Sequence, residues 1–230
     1  MKIKHAGFTL IELLISVTLL ALLMLVGTYS YSVFTNKWQD ELGQFSVVNR
    51  QATNFQRIQI LLNNISPLAV RKDNGQPGFF LVGDNTRLLG ITYNGLFSMD
   101  KPEVFRLSVS KNDDQTFELL YQAKPLIDST VVSASQEITF TNNIVLLDNL
   151  DEISFRYLGW PHFTDADSSA NISNISSPIW SSSYSALDSQ IMPEKIALFI
   201  RKDDREITFN IALSLNSARW MSHYWDEVGL

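Results

Sequence analysis

The chain has 230 residues and no cysteine. Disulfides, zinc–thiolate centres and thiol nucleophiles are thereby excluded, and cysteine usage marks no redox compartment. Histidine is scarce too. His5, His162 and His223 are the only three, and the last two lack metal-ligand spacing to each other, so a surface or structural role is their default. Basic residues are in the minority, 18 against 24 acidic, for a net charge of −6. The footprint of a nucleic-acid binder is therefore missing. No Walker A, G-x-S-x-G or G-x-G-x-x-G segment occurs, and with them go the common sequence signs of an enzyme. Proline is absent until Pro67, so nothing of that kind stops a helix earlier.

Apolar residues, by contrast, are plentiful at 45%, with 14 Phe, 7 Tyr and 5 Trp. That composition belongs to a folded chain with a sizeable core. The apolar residues are most concentrated at the start, in MKIKHAGFTLIELLISVTLLALLMLVG. Lys2 and Lys4 precede the run, and the 24 residues from Leu13 to Asn36 carry no charge. About 20 apolar residues in a helix cross the hydrocarbon layer, so the length fits one transmembrane helix. The leading lysines place its start in the cytoplasm. Glu12 stands out, because a carboxylate at a membrane-helix centre costs about 2.5–3.5 kcal/mol on insertion scales. Its place near the helix end lowers that cost without explaining it.

Three readings meet this segment. A cleaved secretory signal has an apolar stretch of roughly 7–15 residues ending in small residues; this run is longer and GTYSYSVF is no such site. A plain anchor explains the length but not Glu12. The third reading uses every residue. KHAGFTLIELLISVTLLALL resembles the leader of type IV prepilins and type II secretion pseudopilins. The resemblance implies cleavage by a membrane prepilin peptidase between Gly7 and Phe8, N-methylation of Phe8, and an assembly role for Glu12. In that role Glu12 of one subunit pairs with the Phe8 amine of a neighbour. Each charge is costly when unpaired in lipid, so the pair selects an axial register. Losing Lys2 and Lys4 takes the net charge to −8.

Beyond Lys37, the residues Trp38, Leu42, Phe45, Val48, Ala52, Phe55, Leu62 and Ile65 recur mostly at spacings of three, four or seven. One face of a helix has that period. The helix is expected to continue to about Ile65, where Asn63-Asn64 and Pro67 end it. From Phe8 that is roughly 87 Å at 1.5 Å per residue. The family often breaks this helix with a proline; here only Gly27 and Gly43 offer weak points.

From Leu68 the pattern changes to strands and turns. FFLV (79–82) and LLGITY (88–93) read as short strands, and VFRLSVS (104–110) with TFELLYQ (116–122) as a hairpin. EITFT (137–141), NIVLL (143–147) and EISFRYL (152–158) follow, then a second hairpin, KIALFI (195–200) and ITFNIAL (207–213), around the charged turn RKDDRE. Strands after one long helix indicate an α+β domain with mainly antiparallel sheet. The Ser-rich stretch 163–189 reads as a long surface loop, with Trp180 and Tyr184 as candidate anchors. Within it Asp165, Asp167, Ser169 and Asn171 fall at EF-hand spacing, but Ala170 and Ser176 occupy the required Gly and Glu positions. Some pseudopilins bind calcium, so a looser site stays open on that ground; no cofactor is otherwise implied.

A softer resemblance concerns the rest. ISPLAVRKDNGQPGF, LDNLDEISFRYLGW and IWSSSYSALDSQIMPEKIALFI look like segments of the J-type minor pseudopilin. The implied organisation is a prepilin leader (1–7), a transmembrane helix (8–36), the periplasmic amphipathic half of that helix (37–66) and a periplasmic β-rich domain (67–230), in a type IV pilin-like fold. The implied partners are I-type and K-type minor pseudopilins, the major pseudopilin, prepilin peptidase and inner-membrane lipid, with no nucleic acid. The chain would be single-pass, with a cytoplasmic N-terminus and a role in initiating the pseudopilus. A minor pilin that primes a type IV pilus shares leader, helix and scaffold.

Overall fold

A computed structural model describes residues 9–98, 101–112, 114–126, 136–168 and 177–213, and only the backbone of 39–48. The chain divides into two compact units, Met1–Ala52 and Thr53–Leu230. One helix, α1 (Leu10–Asn63), supplies nearly all of the first and the opening turns of the second.

In the first unit the stretch Leu10–Trp38 is predominantly apolar around the helix. Leu13, Leu19, Leu22, Leu25 and Phe34 are all more than half exposed. A helix hydrophobic all round asks for lipid or a surrounding protein core. Leu10–Trp38 is long and apolar enough to cross a membrane once. Several of its hydroxyls return to the helix backbone, Ser16 Oγ donating to the Glu12 carbonyl at 2.7 Å and Thr28 Oγ1 to the Met24 carbonyl at 2.8 Å. Such back-bonds satisfy these hydroxyls without water, as hydrocarbon requires. Gly27 and Gly43 pass in helical conformation.

In the second unit the last turns of α1 are core. Ile58, Leu61 and Leu62 are fully buried, with Phe55 packed beside them. The helix ends at Asn63, two residues short of the expected Ile65, where the Asn64 side-chain amide donates to the Ile60 carbonyl at 2.8 Å. Pro67 disfavours further α backbone just before it. Ile65 instead bridges to Thr92, and Tyr93 N donates to the Asn64 carbonyl at 3.1 Å. The chain thus leaves the helix directly onto the sheet.

The strands are β1 (Ala69–Arg71), β2 (Pro77–Phe79), β3 (Val82–Gly83), β4 (Arg87–Thr92), β5 (Glu103–Lys111), β6 (Phe117–Pro125), β7 (Asn142–Leu150) and β8 (Glu152–Gly159). A short helix α2 (Phe163–Ser168) follows, then β9 (Ile179–Ser181), β10 (Tyr184–Ser185), α3 (Ala186–Ser189), β11 (Lys195–Lys202) and β12 (Arg205–Ala212). They form a β1-β2 pair, a six-stranded sheet ordered β10-β3-β4-β5-β6-β7 and a four-stranded sheet ordered β12-β11-β8-β9. All described pairings are antiparallel. This is the α+β, type IV pilin-like arrangement that the sequence implies.

Period-two alternation sets which way each strand faces. On β5 and β6, Phe105, Leu107, Leu119, Tyr121 and Ala123 enter the same cluster as Leu61 and Leu62. The opposite face carries cross-strand polar pairs: Arg106 donates to Gln122 at 2.7 Å and Ser110 to Glu118 at 2.7 Å. The β11-β12 hairpin turns on Asp203 and Asp204, with φ of 50° and 61°. Two left-handed residues define a type I′ turn, whose twist suits the flanking strands. Asp151 supports it by accepting from Asp203 N at 2.9 Å.

Three sequence expectations are corrected here. FFLV is not one strand: Phe79 ends β2, Leu81 N donates to the Phe79 carbonyl at 2.9 Å in a tight γ-turn, and β3 begins at Val82. EITFT joins no ladder. Ile138 and Phe140 instead pack singly on a small cluster of Val70, Phe80, Ile91 and Val104, with the Arg106 guanidinium 4.6 Å from the Phe140 ring centre. Lastly, the 163–189 stretch is no plain loop, since it holds α2, β9, β10 and α3. Tyr184 does anchor it, being buried, whereas Trp180 is 43% exposed.

Candidate functional site

Of the residues singled out in sequence, Gly7 and Phe8 lie outside the described residues, as do His5, His223 and positions 169–176. Glu12 is described, and its surroundings are specific. Thr9 N and Thr9 Oγ1 each donate to Glu12 Oε2 at 3.1 Å, and Glu12 N approaches Thr9 Oγ1 at 3.4 Å. Leu13 N gives the first helical bond to the Thr9 carbonyl at 3.2 Å. Thr9 is therefore the N-cap and Glu12 the third helical residue of a capping box.

The physical sense is plain. A helix start leaves backbone N–H groups without partners, and lipid offers none. Glu12 satisfies one N–H, and the Thr9 hydroxyl serves another. A carboxylate also suits the positive end of the helix dipole. The T-x-x-E spacing of Thr9 and Glu12 carried this signal in the sequence, and reading Glu12 only as an intermolecular partner missed it. Capping leaves one carboxylate oxygen, Oε1, free of these bonds.

The far end of the apolar segment carries aromatic rings. Tyr29, Tyr31, Phe34 and Trp38 are exposed there, and the Phe34 and Trp38 rings meet at 5.5 Å, one turn apart. Lys37 stands among them. Amphipathic rings and a lysine at a helix end are the usual occupants of a membrane–water boundary. The segment is thus marked at both ends, by a capped acid and by an aromatic girdle.

Elsewhere the described candidates are occupied locally. His162 Nδ1 accepts from Thr164 N at 3.4 Å and sits 3.1 Å from Thr164 Oγ1, at the head of α2. Asp165 and Asp167 lie within that helical turn rather than on an extended ion-binding loop. Sequence gave no warning of Glu103, which is fully buried on β5. Tyr121 donates to its Oε2 at 2.8 Å, while Oε1 has no hydrogen-bond partner among the described residues. Burial, then the neighbouring Glu103 charge, pushes the Tyr121 hydroxyl far above its ordinary range.

Residues 2–28 match the prokaryotic N-terminal methylation motif. The N-terminal segment is that of a prepilin-like protein. The match takes in the capping box and about two thirds of the apolar stretch Leu10–Trp38. No curated protein matches the chain. The prepilin-like class thus rests on the first 28 residues together with the helix-plus-sheet architecture that follows them.

Proposed function

We propose that this prepilin-like chain is a minor pseudopilin of the J type, an assembly subunit rather than an enzyme. In this reading prepilin peptidase cuts between Gly7 and Phe8, Phe8 is N-methylated, and the helix holds the subunit in the inner membrane with its β domain periplasmic. The subunit then joins I-type and K-type partners and the major pseudopilin, and initiates a filament that helps export folded proteins.

The observation that carries this is the continuity of the methylation motif with a single helix running from Leu10 to Asn63, whose last turns are core of an antiparallel β domain. A filament subunit needs that combination. Its apolar half can move from lipid into a helical bundle without exposing polar groups, while the soluble half stays folded. The three loose segments quoted above support the J type. The same helix and motif serve a minor pilin that primes a type IV pilus, and the genes beside this one distinguish the two.

N-terminal mass analysis of the protein from its native membrane tests the class. An N-methylated Phe8 is the expected start, made in a prepilin-peptidase-dependent way. A chain that still begins at Met1 overturns the reading. Glu12→Ala is then expected to impair co-assembly while leaving cleavage and folding intact.

A further inference from the structure

Where β8 ends and β9 begins, a cavity of about 250 Å³ opens to the surface. Gly159, Trp160, Pro161, Ile179, Tyr184 and Asp188 line it, together with serines of the same stretch. The cavity is built rather than incidental. A Cβ at Gly159 would overlap the Tyr184 ring, so glycine is what admits that ring against β8. Tyr184 Oη lies 3.0 Å and 3.1 Å from the carbonyls of Trp160 and Ile191. Trp160 Nε1 donates to Glu194 Oε1 at 3.0 Å, and both aromatic residues are buried.

The lining hydroxyls are largely spent inward. Ser181 Oγ donates to the Ser183 carbonyl at 2.7 Å, Ser189 Oγ to the Ser185 carbonyl at 2.9 Å, and Ser185 Oγ accepts from Asp188 N at 3.3 Å. Among the described lining residues only Asp188 is charged. Its carboxylate has no partner among the described residues. Glu194 adds a second negative charge nearby: burial, with this carboxylate assisting, pushes the Tyr184 hydroxyl up to about 12. Ile179, 56% exposed on the three-residue edge strand β9, forms an apolar lip. The cavity is smaller than the roughly 300–1,000 Å³ of small-molecule sites, so it suits one side chain better than a cofactor.

We propose that this cavity receives an arginine side chain presented by another protein, its stem against Ile179, Pro161 and Trp160 and its guanidinium at Asp188. Arginine fits the chemistry on three counts. It carries an aliphatic stem, its planar head stacks on aromatic rings, and it forms forked bonds to a carboxylate. The acidic surround of Asp188 and Glu194 supplies the complementary charge. This inference does not depend on the assembly reading.

The test uses the full chain in lipid nanodiscs, with the indole N–H resonance of Trp160 as reporter, assigned by its loss in Trp160→Phe. N-acetyl-arginine amide is titrated against N-acetyl-citrulline amide, a neutral analogue of the same shape. Saturable shifts of the Trp160 resonance are expected, with the arginine compound binding about two- to fivefold more tightly, the worth of one exposed ion pair. Asp188→Asn should remove that preference and Asp188→Glu retain it. Equal affinity of the two compounds for the wild-type chain, or no shift of any indole resonance with either, overturns the proposal.

Discussion

Thr9 and Glu12 hold each other's backbone: the Glu12 carboxylate accepts from Thr9 N at 3.1 Å, and the Thr9 hydroxyl faces Glu12 N at 3.4 Å. The acid that looks misplaced in an apolar helix therefore has work within its own chain before any neighbour arrives. Substitutions separate the cap from the charge. Glutamine also closes a capping box, so Glu12→Gln should keep the helix start intact while removing the charge needed for an intermolecular pair. Thr9→Val should do the reverse and loosen the first turn by about 0.5–2 kcal/mol. Hydrogen exchange of the amides of residues 9–13 in nanodiscs reads the cap, and co-assembly with partner subunits reads the charge. Unimpaired assembly of Glu12→Gln would confine Glu12 to capping.

The buried pair Glu103 and Tyr121 makes a second case. Tyr121→Phe removes the only described hydrogen bond to the Glu103 carboxyl. Leaving a buried acceptor unsatisfied costs about 1–3 kcal/mol, and more when it is charged. Replacing both groups, as Glu103→Leu with Tyr121→Phe, should cost less than Tyr121→Phe alone plus Glu103→Leu alone. Denaturant unfolding of the full chain in micelles gives all four values of that cycle.

Much of the fold was legible because its causes are local. The hairpin of β5 and β6 announced itself by alternation, and the charged RKDDRE run marked the turn at Asp203 and Asp204. What escaped notice depends on tertiary packing. Ile138 and Phe140 alternate as a strand does, yet their partner is the small cluster at Val70 and Phe80, with no ladder to join. The 163–189 stretch looked loop-like from its serines, because the hydroxyl bonds that shape it (Ser185 to Asp188 N, Ser189 to its own preceding turn) leave no hydrophobic period. At the helix start Glu12 was conspicuous, and the T-x-x-E box around it was equally present but subordinate to the stranger feature.

Alkaline pH should expose the buried phenols. Tyr121, Tyr157 and Tyr184 all sit above the ordinary value of 10.0, each chiefly through burial. In the unfolded chain these groups lose their protons near pH 10, while the folded chain keeps them. Folded protein then binds more protons than unfolded, so stability falls as pH rises past 10. Below that value the contribution is fully present. For Tyr184 the loss is complete by about pH 12. Absorbance at the phenolate band, followed with circular dichroism from pH 8 upward, should show the phenolates of Tyr121, Tyr157 and Tyr184 appearing only as structure is lost. Smooth titration of all tyrosines near pH 10 in folded protein contradicts the burial.

Gly83 and Tyr157 give the sharpest coupling. Tyr157 Oη bonds the carbonyls of Asp84 and Arg87 at 3.0 Å and 3.1 Å, stapling β8 to the turn between β3 and β4. A Cβ at Gly83 would overlap that hydroxyl and the ring carbon bearing it. Gly83→Ala should therefore destabilise by about 1–3 kcal/mol, the usual cost of overfilling a packed core. Tyr157→Phe deletes the hydroxyl and its bonds, at about 0.5–1.5 kcal/mol. With the hydroxyl gone, part of the overlap disappears, so the double variant should be more stable than the sum of the single losses predicts. Additivity within about 0.5 kcal/mol, the limit for independent sites, would mean that the strand at Gly83 yields freely and that the contact with Tyr157 does not hold it.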